Sequence, residues 1–134
     1  MSDTPSEPEG SVSLSDLQID VMRVLWRSGE SSASDAARAL RGRRDLALTT
    51  VSTLLTRLEK RGLIAQRREG RQVIYRPLVE ESQVRRSMVS GLLGSLFGGD
   101  ANALVAHLVR EDAISADDLA AIRRLLDEKA DRHD

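Results

Sequence analysis

The side chains in this sequence that could do chemistry are hydroxyls and guanidiniums, grouped in two places. Thr49, Thr50, Ser52, Thr53 and Thr56 crowd one short stretch, with Arg57 beside them. Arg67, Arg68, Arg71 and Arg76 crowd another. Hydroxyls at helical spacing can donate to and accept from base edges, and a threonine methyl can pack on a thymine methyl. Arginines on a hairpin can neutralise phosphates and release counterions. Other chemistries lack their parts. The chain has no cysteine and two histidines, His107 and His133. Thiolate metal sites, cysteine nucleophiles and disulfides are therefore excluded, and the sequence predicts no metal site and no cofactor. No carboxylate joins a nucleophile motif, and no glycine-rich phosphate loop follows a strand, so an enzyme is disfavoured.

Both groups need elements to hold them. Thr49–Arg61 reads as a helix whose buried face is Val51, Leu54, Leu55 and Leu58, ending at Gly62. Threonine and serine are mediocre helix formers, so this solvent face looks selected for contact. The arginines belong to a hairpin of Leu63–Arg68 and Gln72–Arg76 around Gly70, in which Val73 and Tyr75 alternate with Gln72, Ile74 and Arg76. Two helices precede them. Ser15 and Gln18 form a capping box that opens a helix with Leu17, Val21, Val24 and Leu25 on its apolar stripe. Ser32 and Asp35 form a second box before an alanine-rich helix to Leu40, and Arg41–Asp45 is a polar loop. Helix, helix, helix, hairpin is the winged helix-turn-helix plan, and the second helix of the pair enters the major groove.

Charge follows the same division. Residues 14–80 carry 13 Lys/Arg against eight Asp/Glu, whereas residues 81–134 carry seven against ten. Residues 1–13 hold three acids and almost nothing to bury, and read as a disordered tail. From Val79 the pattern is helical again. It is broken at Gly98-Gly99, and a third capping box at Ser115 and Asp118 opens the last helix. Residues 81–134 are too few to bury three apolar helix faces alone. The expectation is a helical dimerisation region in which Leu93, Leu96, Phe97, Leu104, Leu108, Leu119 and Ile122 meet a second copy. The fold class is thus mainly α with a small β-hairpin: a winged helix-turn-helix over 14–80 and a dimerisation region over 81–134. The apolar run near Val89–Phe97 is too short to span a bilayer, so the chain reads as cytoplasmic with no stable membrane association. With only three aromatic residues, stacking on single strands is disfavoured. A protein-binding winged helix is the remaining rival; it would not need the threonine-rich helix and the arginine-rich wing together.

The runs LSDLQIDVMRVLW (14–26), TTVSTLLTRLEKRGLI (49–64) and REGRQVIYRP (68–77) resemble the BlaI/MecI/CopY repressors. The sharpest parts are T-V-x-T-x-L-x-R-L at Thr50–Leu58 and E-G-R-x-x-x-Y-x-P at Glu69–Pro77. The resemblance implies a homodimeric repressor on a two-fold operator, built on TACA/TGTA half-sites in BlaI and MecI. It places base contacts at Thr49, Thr50 and Thr53. The residues themselves add Ser52 to the reading set and put Arg57, Arg67, Arg68 and Arg71 on phosphates. Thr49 stands where BlaI and MecI commonly carry Lys; Ala47 and Leu48 replace the usual N-cap Ser and the Pro after it. In BlaI and MecI a membrane sensor metalloprotease triggers cleavage, at a bond aligning with His107–Leu108 here. CopY instead releases DNA through a cysteine metal hook, which a cysteine-free chain cannot use.

Overall fold

The computed structural model describes residues 12–132. It contains helices α1 (Asp16–Ser28), α2 (Ala33–Leu40), α3 (Leu48–Lys60), α4 (Glu81–Phe97), α5 (Ala101–Arg110) and α6 (Ala116–Arg132), and strands β1 (Ser31–Ser32), β2 (Ile64–Glu69) and β3 (Gln72–Pro77). Two compact units divide the chain at Val89/Ser90, inside α4.

The first unit is built around three helices. Ser15 caps α1 reciprocally with Gln18: the Gln18 amide donates to Ser15 Oγ at 3.2 Å, and the Ser15 amide donates to Gln18 Oε1 at 2.9 Å. Leu14 is buried and Ile19 packs against the core, so the hydrophobic staple around the cap is present. Val21, Met22 and Leu25 of α1, Ala36 and Leu40 of α2, and Val51, Leu54, Leu55 and Leu58 of α3 form one core with Leu63 and Ile64. Alanine at position 36 lets α2 lie close to its neighbours.

The sheet has three antiparallel strands in the order β1-β3-β2. The sequence indicates only the hairpin. Ser31 and Ser32 add a short third strand against Tyr75 and Ile74. Ser32 works twice, since its hydroxyl also accepts from the Asp35 amide at 3.1 Å and starts α2. β3 is thereby central, and Ile74, flanked by Ser32 on one side and Arg67 on the other, is its one buried residue. Val73 and Tyr75, which alternate with it, are half-buried. At the turn, Gly70 has φ +64° and Arg71 stays at negative φ, the arrangement of a two-residue II′ loop.

Two boundaries also shift. Val12, expected in the tail, is buried, and its amide donates to Ser87 Oγ. Residues 1–11 lie outside the described residues. At the other end the first unit continues past position 80. Trp26 Nε1 donates to the Val79 carbonyl at 2.9 Å, Val84 is 3% exposed, and Met88 packs on the core.

In the second unit, α4 closes at Gly98-Gly99, where the Gly99 amide donates to the Leu93 carbonyl at 3.0 Å. Both glycines have positive φ, which turns the chain out of the helix. Asp100 caps α5 through the amides of Asn102 and Ala103. Ser115 and Asp118 form the expected reciprocal box before α6, at 2.9 and 3.0 Å. From residue 90 onward no described side chain is buried.

The first unit's core predicts a direct stability test. Leu55 is fully buried at the meeting of three helices. Leu55→Ala should cost about 2–4 kcal/mol, read as a lowered urea midpoint with the slope unchanged.

Candidate nucleic-acid interface

Helix α3 turns one face into the core and the other outward. Val51, Leu54, Leu55 and Leu58 are buried, while Thr49, Thr50, Thr53, Thr56 and Arg57 are exposed. At 100° per residue the outward stripe runs Thr49–Thr53–Thr56, with Thr50 and Arg57 together on one flank. Ser52 lies on the other flank, about 160° from Thr50, and is half-buried. One groove-facing surface can therefore hold Thr49, Thr50, Thr53 and Arg57, and Ser52 stands apart from it. Thr56 belongs to the stripe by the same geometry, though the family motif does not mark it.

Two hydroxyls are already engaged. Thr53 Oγ1 donates to the Thr49 carbonyl at 2.9 Å, and Thr56 Oγ1 donates to the Ser52 carbonyl at 2.9 Å. With its proton committed, the Thr53 hydroxyl presents acceptor lone pairs and a methyl group. That surface suits the amino group of adenine or cytosine, or a thymine methyl.

The hairpin separates its arginines. Side chains alternate across a strand, so Arg67 and Arg68 point to opposite faces of β2. Arg67 sits on the side of acidic partners. Its Nε and Nη2 donate to the two carboxylate oxygens of Glu30 at 3.2 and 2.8 Å, and Glu69 lies 3.4 Å away. The Glu30 carboxyl is held below its ordinary value, first by that hydrogen bond, and the Arg67 guanidinium is held above its own. Expected as a phosphate ligand, Arg67 is found tying the wing to the segment before β1. Arg68 and Arg71 are exposed and pair with no carboxylate among the described residues.

A second ionic cluster holds the turn between α2 and α3. Asp20 of α1 is 4% exposed, and its carboxylate accepts from Arg44 Nε, with Arg23 and Arg43 each at 3.4 Å. The Arg44 hydrogen bond is the main reason its carboxyl is lowered below 3.8, against a burial effect that raises it. From sequence Arg41–Asp45 looks like a plain polar loop; the signal for the clamp is an aspartate one place before Val21, on the apolar stripe of α1. At the start of α3, Ala47 stands at the N-cap with no side-chain cap bond.

The penicillinase repressor family model matches residues 14–128. The chain belongs to the penicillinase repressor family. It is 28% identical to the methicillin resistance regulatory protein MecI of Mammaliicoccus sciuri over 116 residues, covering 87% of this chain and 94% of that one. It is 38% identical to the transcriptional regulator BlaI of Mycobacterium tuberculosis over 117 residues, 86% of this chain and 83% of the relative. Among solved structures, the PcaV regulator of Streptomyces coelicolor shares the fold at a TM-score of 0.50 and 19% identity, over 90% of this chain and 77% of its own. The family member described here is a transcriptional repressor with a winged-helix fold, not an enzyme. The bond that the family resemblance marks for cleavage, His107–Leu108, lies inside α5 rather than in a loop.

The clamp has a pH signature. A carboxyl lowered in the native state stabilises the fold above its ordinary value and loses that contribution as pH falls through the native value. Replacing Asp20 with Asn should cost about 1–3 kcal/mol at neutral pH, less than a fully buried pair would, because the arginines can turn to water. The difference between wild type and Asp20→Asn, from urea melts, should hold above pH 3.8 and shrink below it.

Proposed function

We propose that this repressor reads operator DNA with α3, steadies itself on phosphates with the wing, and holds a two-fold site as a homodimer. The observation that carries the reading is the two-faced α3. Four side chains anchor it in the core, while Thr49, Thr50, Thr53 and Arg57 form one exposed polar surface. An α-helix fits the major groove, where hydroxyls and methyls meet base edges. Arg68 and Arg71 are the wing residues placed to meet the backbone, and Arg57 flanks the reading surface. Arg67 and Ser52 have supporting places.

The dimer is proposed from the second unit's exposure. Leu96 is 71% exposed, Leu125 64% and Leu126 61%; Leu119 and Ile122 are also exposed. Leu93, Phe97, Leu104 and Leu108 are half-buried. Helices this apolar, with no buried side chain among them, gain stability only by covering one another, and a second copy supplies matching faces. The same unit is where the family's proteolytic release would act: a cut at His107–Leu108 would break α5 and part Leu104 from Leu108. Among the described residues no single helix is long and apolar enough to cross a membrane. The proposed place of action is the cytoplasm, and the partners are duplex DNA, a second copy and a membrane sensor protease.

Sequence reading and backbone holding can be told apart. A preferred operator is first selected from a random DNA pool with the purified protein. Thr53→Ala should then cost about 1–3 kcal/mol per half-site on that operator and little on random DNA. Arg71→Ala should weaken both DNAs alike and lower the log–log salt slope by about two per dimer. Equal losses for Thr53→Ala on both DNAs would remove it from base reading, and an unchanged slope for Arg71→Ala would take the wing off the backbone.

The assembly is tested by truncation after Val89, which keeps Val84 in the first unit's core. The shortened chain should fold, sediment as a monomer and lose most operator affinity, because paired half-sites act at high effective concentration. A truncated chain that remains dimeric would overturn the division.

A further inference from the structure

We infer that Asp20 is a positioning residue for DNA recognition: through Arg44 and Arg43 it sets where α3 begins, and so the register of the reading surface. The inference rests on the DNA-reading role of α3 proposed above. Three observations carry it.

The first is that α3 starts without a side-chain cap, its entry held only by Leu46 packing on the core before the buried Val51. An N-cap hydroxyl or carboxylate normally accepts from a first-turn amide and pins the entry of the chain. Ala47 offers no such acceptor, and no side-chain bond is found at this cap. Leu48 begins the helix and is 49% exposed, so no apolar contact buries its side chain.

The second is what holds the chain just upstream. The Arg43 and Arg44 amides both donate to the Leu40 carbonyl, at 3.1 and 2.8 Å, which closes the end of α2. Their side chains then meet one carboxylate on α1. Arg44 Nε binds Asp20 Oδ2, and Arg43 Nε lies 3.4 Å from Oδ1. Only Asp45, Leu46 and Ala47 separate Arg44 from the first residue of α3. Four Cα steps reach about 14 Å at most, so holding Arg44 limits where the helix can start.

The third is that the carboxylate is itself enclosed. Asp20 is 4% exposed, lies on the buried side of α1 next to Val21 and Met22, and is also paired with Arg23 of its own helix. A carboxylate on a rigid helix, holding a guanidinium on a loop, transmits the position of α1 to the loop. Base-edge hydrogen bonds tolerate displacements of only about half an ångström, so a loosened entry to α3 should cost specificity first. Arg43 and Arg44 are thus used in holding the turn, with Arg43 still 65% exposed.

The test uses the full-length protein, the selected operator and a random duplex of the same length. Asp20→Asn keeps size and shape but removes the charge; Asp20→Glu restores the charge; Arg44→Gln breaks the same contact from the loop. The preference of wild type for the operator over random DNA should fall about tenfold or more with Asp20→Asn and Arg44→Gln, a change of 1.4 kcal/mol or more. Affinity for random DNA and the salt slope should change less than about twofold, because the wing is untouched. Asp20→Glu should recover part of the preference. Hydrogen exchange without DNA gives an independent reading. In Asp20→Asn, amides 43–51 should lose more protection than those of α1 and the hairpin, which should fall by no more than the global loss read in urea.

An unchanged operator preference in both variants would overturn the inference. So would equal loss on both DNAs accompanied by the same loss of protection at 43–51 as in the rest of the first unit, which marks general destabilisation alone. If wild type prefers no sequence at all, the reading role of α3 fails. The exchange experiment then still decides whether Asp20 fixes the start of α3.

Discussion

Val51, Leu54, Leu55 and Leu58 are sunk between α1, α2 and the first residues of β2, and their 3.6-residue spacing leaves the other side of α3 to the solvent. The rest of the first unit follows from that anchorage. α1 supplies Val21, Met22 and Leu25 to receive the helix; α2 contributes small side chains that let it approach; Leu63 and Ile64 carry the chain from the core into the wing. Propensity does not favour a helix so rich in threonine. Burial of four large side chains holds it, and this frees its outer face to be chosen for contact rather than for stability.

Much of this is legible in the residues themselves. Ser15 with Gln18, and Ser115 with Asp118, announce two helix starts because the cap is a local interaction between residues three apart. The apolar stripe of α3 and the turn at Gly70 are local too. What escapes the sequence is contact between distant segments. Nothing in Ser31-Ser32 marks a strand; it exists because β3 has an open side for it. Ile74 is buried for the same reason. Glu30 and Arg67 are 37 positions apart, and Asp20 and Arg44 are 24 apart, so a surface arginine and a tethered one look alike in the chain. Val12 sits in a polar, proline-containing stretch, and only the site near Ser87 shows that it is buried. Of the residues expected on DNA, Thr49, Thr50, Thr53 and Arg57 share a surface by periodicity alone. Arg67 is diverted by partners that periodicity cannot see.

The two units use apolar residues in opposite ways. In the first, large side chains close over one another within a single chain, and polar groups at the edges are tied by ion pairs. In the second, each helix has sound local ends — Gly98-Gly99, Asp100, Ser115 — yet its leucines remain open. Local signals set helix length there without supplying a core. The two properties are separable because capping involves a few adjacent residues, whereas a core needs enough surface area to enclose a volume.

The order β1-β3-β2 leaves β2 with one long side unpaired. An open strand edge can template pairing with the sheet of another molecule, the first step toward fibrils. Here that edge runs through Gln66, Arg67, Arg68 and Glu69, all exposed and three of them charged, while the opposite edge, β1, is two residues long. Charged side chains on an edge are costly to desolvate between two sheets, and a two-residue edge offers too little backbone to recruit a strand. The wing's charge thus gives the protein a second property: resistance to edge-to-edge aggregation when many copies are crowded together away from DNA.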